Sequence, residues 1–158
     1  MEGGRAMPRL QTKYLGWIEY DEASVIEFPA GLPGFERERR FVFIRNEAHA
    51  PLVFLQSVGT PGLCFLAVPV AEVEESYQVE LAEEDAAVLG LAAGEGSGDL
   101  EVLALISRRE GEPVTANLMA PVVVHVPGRK AVQAVRRDRR YRARHVLGVR
   151  VEGRALCS

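Results

Sequence analysis

Nothing in this chain is long and apolar enough to cross a bilayer as a helix. The longest apolar run, Leu63 to Ala71, is 9 residues and contains Pro69, against the ~20 that a membrane helix needs. The first residues, MEGGRAMPRL, lack the hydrophobic stretch of a secretory signal. The chain is therefore expected in the cytoplasm, with no membrane partner. Cysteine is scarce: Cys64 and Cys157, 93 positions apart, make neither a disulfide framework nor a structural zinc site. Histidine is scarce too, and His49, His125 and His145 are scattered, none at metal-ligand spacing with another His or a Cys. There is no phosphate-cradling Gly-Lys-Ser/Thr loop and no G-x-S-x-G elbow. Gly94, Gly96 and Gly98 follow a helical segment rather than joining strand to helix, the wrong setting for a dinucleotide. No catalytic residue, metal or cofactor is expected, and an enzyme is the least supported class.

What is there reads as one ordinary domain. At 158 residues, folding buries about 70% of the unfolded chain's surface, enough for a core without staples. The composition, 47% apolar and 26% charged, is that of a globular chain rather than a disordered one. The net charge of −3 conceals an asymmetry. From Ala71 to Ile106 there are ten acidic residues and no Lys or Arg, whereas Arg129 to Ser158 holds ten basic residues and two acidic ones. The basic cluster is tightest at Arg136, Arg137, Arg139, Arg140, Arg142 and Arg144, around Tyr141. Such a run fits a phosphate backbone, or an edge strand and tail whose charges stay solvated. Since the rest of the chain is acidic, direct nucleic-acid binding is not expected.

Strand patterns dominate. Thr12 to Tyr20, Ser24 to Phe28, Arg39 to Arg45, Leu52 to Val58 and Leu63 to Val68 are rich in β-branched and aromatic residues. Pro29 to Phe35 (PAGLPGF) is a loop, and Gly59-Thr60-Pro61-Gly62 a tight turn. Tyr77 to Leu81 reads as a short strand, and Ala82 to Ala93 as the one helix, with acids in its first turn and Gly94 as its stop. Gly94 to Gly98 is a flexible loop. Leu100 to Ser107, Val114 to Leu118, Val122 to Val126 and Lys130 to Arg136 complete the set, with Pro121 predicting a bulge or edge position. About nine strands and one short helix predict an all-β, mainly antiparallel, barrel-like or sandwich domain. The predicted layout is a frayed N-terminus over 1–11, one domain over 12–146 and a tail over 147–158. No heptad or long apolar edge demands self-association, so a monomer is expected.

Three segments carry a resemblance: Thr12 to Ile44, Pro51 to Val70 and Val114 to Val135. They hold a Thr-Lys-Tyr start, the loop Phe28-Pro29-Ala30-Gly31-Leu32-Pro33-Gly34-Phe35, a strand ending in Leu55-Gln56-Ser57, and the block Thr115-Ala116-Asn117-Leu118-Met119-Ala120-Pro121. Four such motifs in order resemble the flagellar assembly factor family, FliW, over about Thr12 to His145. The resemblance implies a small, mostly β, barrel-like binding protein of the bacterial cytoplasm without catalytic activity. Its implied partners are flagellin and the translational regulator CsrA, an RNA-binding dimer that represses flagellin translation. It also implies that CsrA is antagonised allosterically, which couples flagellin translation to flagellin export. Where the family has Tyr-Gly, this chain reads Tyr14-Leu15-Gly16, one residue longer, which predicts a bulge or shifted register in the first strand.

The resemblance and the charge pattern together nominate partner-binding residues. Phe28, Pro29, Gly31, Leu32, Pro33, Gly34 and Phe35 form a stiffened loop that either presents preorganised apolar contacts or plugs the barrel's end. Gln56 and Ser57 either hydrogen-bond a neighbouring turn or meet a partner. Asn117, a poor strand residue, and Leu118 either support the core or make contact. Glu74 and Glu75, in an acidic face with Glu72, Glu83, Glu84 and Asp85, suit a basic partner such as CsrA. The competing reading is an RNA-binding β-barrel that uses Arg136 to Arg144.

Overall fold

The alternation of apolar and polar residues in the first half of the chain becomes a run of antiparallel hairpins whose inward residues share one core. The computed structural model describes residues 7–91 and 99–147. Its strands are β1 (Arg9–Thr12), β2 (Gly16–Glu19), β3 (Ile26–Glu27), β4 (Arg40–Ile44), β5 (Val53–Ser57), β6 (Cys64–Pro69), β7 (Leu100–Ser107), β8 (Thr115–Ala116), β9 (Val122–His125), β10 (Lys130–Gln133) and β11 (His145–Val146). Two short helices, α1 (Val70–Val73) and α2 (Glu83–Val88), lie between β6 and β7.

Seven strands close into a ring in the order β7-β6-β5-β4-β3-β10-β9, and β9 pairs back to β7 from Leu100↔His125 to Leu103↔Val122. All neighbours are antiparallel except β3 and β10, which join the two ends of the chain in parallel at Glu27↔Lys130. The all-β barrel read from the sequence is what the chain forms. Inside it Phe28, Leu32, Phe41, Val53, Leu55, Ala67, Leu103, Val122, Val124 and Ala131 make one buried cluster.

The outer surface of half the ring is covered as well. α2 lays Leu89 and Val88 on Val123, Val132 and Ala134. Tyr77, Tyr141 and Leu147 pack with Val68, Ala104, Ala116 and Leu118 on the other side of β6 and β7. Val122, Val123 and Val124 are all buried for this reason: the barrel takes two of them and α2's layer takes the third. A continuous apolar run is what a strand covered on both faces shows.

Several expectations from sequence are corrected here. Thr12 to Tyr20 is not one strand but the second half of a separate hairpin, with β1 paired to β2 from Arg9↔Glu19 to Thr12↔Gly16. Arg9 to Gln11, assigned to a frayed N-terminus, are its first strand. The Thr12 hydroxyl closes the turn, accepting from the Leu15 N–H at 2.8 Å and donating to the Gly16 carbonyl at 2.8 Å. Leu15 therefore lengthens a turn and makes no bulge. Tyr77 to Leu81 forms no strand, because side chains rather than a neighbouring strand satisfy Gln78: its N–H donates to the Tyr141 hydroxyl and its carbonyl accepts from Arg136.

Of the helix expected over Ala82 to Ala93, the described residues form only Glu83–Val88, with Gly90 at φ +76° just beyond it, and Ala92 and Ala93 lie outside them. A second α-helix, α1, begins where Pro69 ends β6, so there are two short α-helices instead of one among the described residues. The strand expected through Val114 to Leu118 shrinks to two residues, and β11, which the sequence did not suggest, pairs with it at Ala116↔His145. Pro121 sits in the break between β8 and β9, both of which line the same edge of β7. Gly94 to Gly98, Cys157 and the tail from 148 lie outside the described residues.

Phe41 is fully buried and meets the Phe28 ring edge-on at 5.0 Å. Phe41→Ala is expected to destabilise the fold by about 3–5 kcal/mol. Val126→Ala, at a side chain 52% exposed, should change stability by no more than about 0.5 kcal/mol. Urea unfolding of the two variants checks the pair.

Candidate functional site

The loop after β3 divides its residues between two tasks. Phe28 and Leu32 point into the barrel and are 0% and 2% exposed. Gly31 turns the chain between them at φ +67°, and a Cβ there would lie 2.6 Å from the Glu36 backbone. The segment then folds back on itself, with Phe35 N–H on the Leu32 carbonyl at 2.7 Å and Leu32 N–H on the Phe35 carbonyl at 3.3 Å. Pro33, Gly34 and Phe35 are left outside. Phe35 is 41% exposed, steadied edge-on against Phe65 at 5.3 Å, and Gly34 N–H donates to Glu36 at 2.8 Å. Pro29 is half-buried. The plug and the display are thus different residues of one loop.

Gln56 and Ser57 are both completely buried. The Gln56 amide donates to the Ser57 carbonyl at 2.9 Å and the Pro61 carbonyl at 3.2 Å. Ser57 accepts the Thr60 N–H at 3.0 Å and donates to Glu38 at 2.7 Å, and the Thr60 hydroxyl donates to the same carboxylate at 2.6 Å. They tie the Gly59–Gly62 turn to the loop carrying Phe35. Glu38 escaped the sequence reading, since its partners stand 19 and 22 residues away. Those hydroxyls, Thr60 first and then Ser57, hold its carboxyl below the usual carboxylate range.

Asn117 closes the break between β8 and β9: its side-chain oxygen accepts the N–H groups of Met119 at 3.1 Å and Ala120 at 2.9 Å. Leu118 is 1% exposed. His125 is half-buried and keeps Nδ1 buried with no hydrogen-bond partner among the described residues.

One arginine of the basic cluster is buried, and two of the exposed ones are paired to carboxylates. The Arg136 side chain is 3% exposed and grips Asp138 through Nε at 2.9 Å and Nη2 at 2.8 Å, while Nη1 donates to the Gln78 carbonyl. Its guanidinium lies 4.8 Å from the Tyr141 ring and 5.5 Å from that of Tyr77, and the two rings stack at 4.3 Å. Asp138 raises the Arg136 pKa, Arg136 in turn lowers that of Asp138, and burial raises that of Tyr77. Arg137 pairs with Glu84 at 2.9 Å and Arg144 with Glu112. Of the acidic face, Glu72, Glu75, Glu83 and Glu84 are exposed, whereas Glu74 and Asp85 are half-buried. Burial, and then Glu84, push Asp85 up. Glu74 accepts from the Ser76 hydroxyl at 2.8 Å.

Comparison with known proteins places this architecture. The family model for FliW protein matches residues 9–147. The flagellar assembly factor FliW of Azoarcus sp. (strain BH72) is 36% identical over 135 residues, 80% of this chain and 90% of that one. That of Bacillus subtilis (strain 168) is 34% identical over 140 residues, 88% and 96% of the two chains. A crystal structure of the flagellar assembly factor FliW superposes with a TM-score of 0.77 at 30% identity, covering 88% of this chain and 96% of that one.

The two loop glycines separate a steric demand from a conformational one. Gly31→Ala adds a backbone clash to a positive φ and is expected to destabilise by about 3 kcal/mol or more. Gly34 has φ +85°, and a Cβ there would meet nothing within 4 Å, so Gly34→Ala should lose only about 1 kcal/mol. Thermal unfolding of both variants distinguishes them. Glu38 adds a pH dependence. Its folded pKa lies below its unfolded one of about 4.3, so its stabilisation is complete above that value and disappears as pH falls through the lower folded value. The urea midpoint of the native chain should exceed that of Glu38→Gln by a constant margin from about pH 5.5 to 7, and the margin should close toward acid.

Proposed function

The chain belongs to the FliW family of flagellar assembly factors, and from that premise we propose that it works by binding flagellin and CsrA in the cytoplasm, without catalysis. Free protein would take CsrA from flagellin messenger RNA by an allosteric action. Newly made flagellin would occupy the protein until export removes it, so that translation follows secretion.

The observation that supports the CsrA half of this reading is a set of exposed carboxylates on the outer layer, of which only Glu84 is paired to an arginine among the described residues. α1, α2 and the segment joining them expose Glu72, Glu75, Glu83 and Glu84, with no Lys or Arg between Ala71 and Ile106. A regulator that binds RNA carries basic surface, and opposed potentials speed encounter and exclude wrong partners. The RNA-binding alternative has less support, because Arg136, Arg137 and Arg144 are each engaged with a carboxylate. Pro33, Gly34 and Phe35 offer a second contact of low ordering cost, suited to an apolar partner segment.

Calorimetric titration with CsrA from the same organism, alone and after flagellin has been added, tests the reading. Micromolar or tighter binding that flagellin suppresses is expected, and no binding by two independent methods would overturn it. Glu72→Lys with Glu75→Lys alters only exposed side chains. It should lower the association rate with CsrA about tenfold at low salt and flatten its salt dependence; an unchanged rate would move the contact elsewhere.

A further inference from the structure

The arginines of the C-terminal segment fall into two groups. Arg136, Arg137 and Arg144 each hold a carboxylate. Arg140 donates instead to the neutral side chain of Gln78 at 2.7 Å, and Arg142 is exposed with no side-chain partner among the described residues. These two arginines, which hold no carboxylate in a side-chain ion pair among the described residues, line the same cavity, of about 320 Å³, together with Glu74, Ser76, Leu118, Tyr141 and His145.

The walls of the cavity are held from several directions. Tyr141 accepts the Gln78 N–H at 3.1 Å and stacks on Tyr77, whose hydroxyl donates to the Leu118 carbonyl at 2.6 Å. The Leu118 N–H donates to the Arg142 carbonyl at 3.0 Å, and His145 is fixed by the β11–β8 pairing. The cavity is therefore a preformed hollow lined by Arg140, Arg142, His145, Glu74 and the Tyr141 ring.

We propose that this cavity is a binding site for a carboxylate presented by a peptide. Arg140 and Arg142 supply the forked donors that carboxylates match. The Tyr141 ring, half-buried in the wall, receives the apolar part of the same peptide. Glu74, which lines the same cavity, accepts a backbone N–H beside the bound carboxylate, a donor that a peptide has and a bare anion lacks. The site does not depend on CsrA or flagellin being the partners. The carboxylate belongs to an acidic side chain or to a chain terminus, and the cavity fits either.

The test is a titration of the full ¹⁵N-labelled chain with three short peptides. They are Ac-Gly-Glu-Leu-Gly-NH2 with an internal carboxylate, Ac-Gly-Gly-Leu-OH with a terminal one, and Ac-Gly-Gln-Leu-Gly-NH2 with none. At about millimolar peptide, at least one carboxylate peptide should shift the amide signals of Ser76, Tyr141 and Arg142, and the glutamine peptide should not. Which of the two acts identifies the source of the carboxylate. Arg142→Gln should weaken binding about fivefold or more, while Arg139→Gln, an exposed neighbour that does not line the cavity, should leave it unchanged. The proposal is overturned by an equal response to the glutamine peptide, by unchanged affinity in Arg142→Gln, or by no response to either carboxylate peptide. A uridine octamer that shifts the same signals while the peptides do not would assign the cavity to RNA instead.

Discussion

A guanidinium removed from water has to find partners for its donors, and around Arg136 that requirement organises the whole outer layer. With its side chain 3% exposed, Arg136 is coordinated by the Asp138 carboxylate, the Gln78 carbonyl and the faces of Tyr77 and Tyr141. Two of these partners come from the acidic segment after β6 and two from the chain beyond β10. Neither segment has a regular structure where they meet, so the arginine takes the place of a strand ladder. Removing one partner of such a buried charge costs far more than an exposed ion pair contributes. The geometry of the acidic face and of the neighbouring cavity is therefore tied to one side chain.

The barrel beneath explains why an outer layer is needed at all. Its interior is filled by Phe28, Phe41, Leu55, Leu103 and their neighbours. β6, β7, β9 and β10 nonetheless carry apolar residues on their outward faces, such as Val68, Ala104, Val123 and Val132. Covering them demands a second layer, supplied by α1, α2 and the C-terminal segment. That layer holds the acidic face and the ion pairs of Arg136 with Asp138 and of Arg137 with Glu84.

β4, β5, β6 and β7 were legible in the sequence, because each is a short apolar, β-branched and aromatic run between turn residues: all four fall within a residue of the pattern. The failures share one cause, which is that side chains distant in sequence decided the local structure. Tyr77 to Leu81 alternates like a strand, yet its backbone is satisfied by Arg136 and Tyr141, about 60 residues later. β11 has only two residues and forms because β8 offers an edge. The Thr12 turn depends on a single hydroxyl that closes a hairpin inside what looked like one strand. At the candidate site, the motif residues were recognisable but their partners were not: Ser57 stood out, while Glu38, which completes its network, carried no local signal.

That division bears on how the motif residues take part in recognition. Phe28, Leu32, Gln56, Ser57 and Leu118 are all 2% exposed or less, so a partner meets them only through the surfaces they hold in place. Gln56 and Ser57 set the turn at Thr60 and Pro61, which in turn receives the hairpin through the Lys13 N–H on the Pro61 carbonyl at 3.1 Å. Ser57 and Thr60 also fix Glu38, three residues past Phe35. Changing a buried motif residue would therefore move several exposed surfaces together and confuse lost folding with lost binding. Phe35, Glu75 and Arg142 stand on three separate exposed elements, the β3–β4 loop, the acidic cover and the C-terminal segment. Substitutions there leave the barrel core intact, and only such positions assign a partner to a surface.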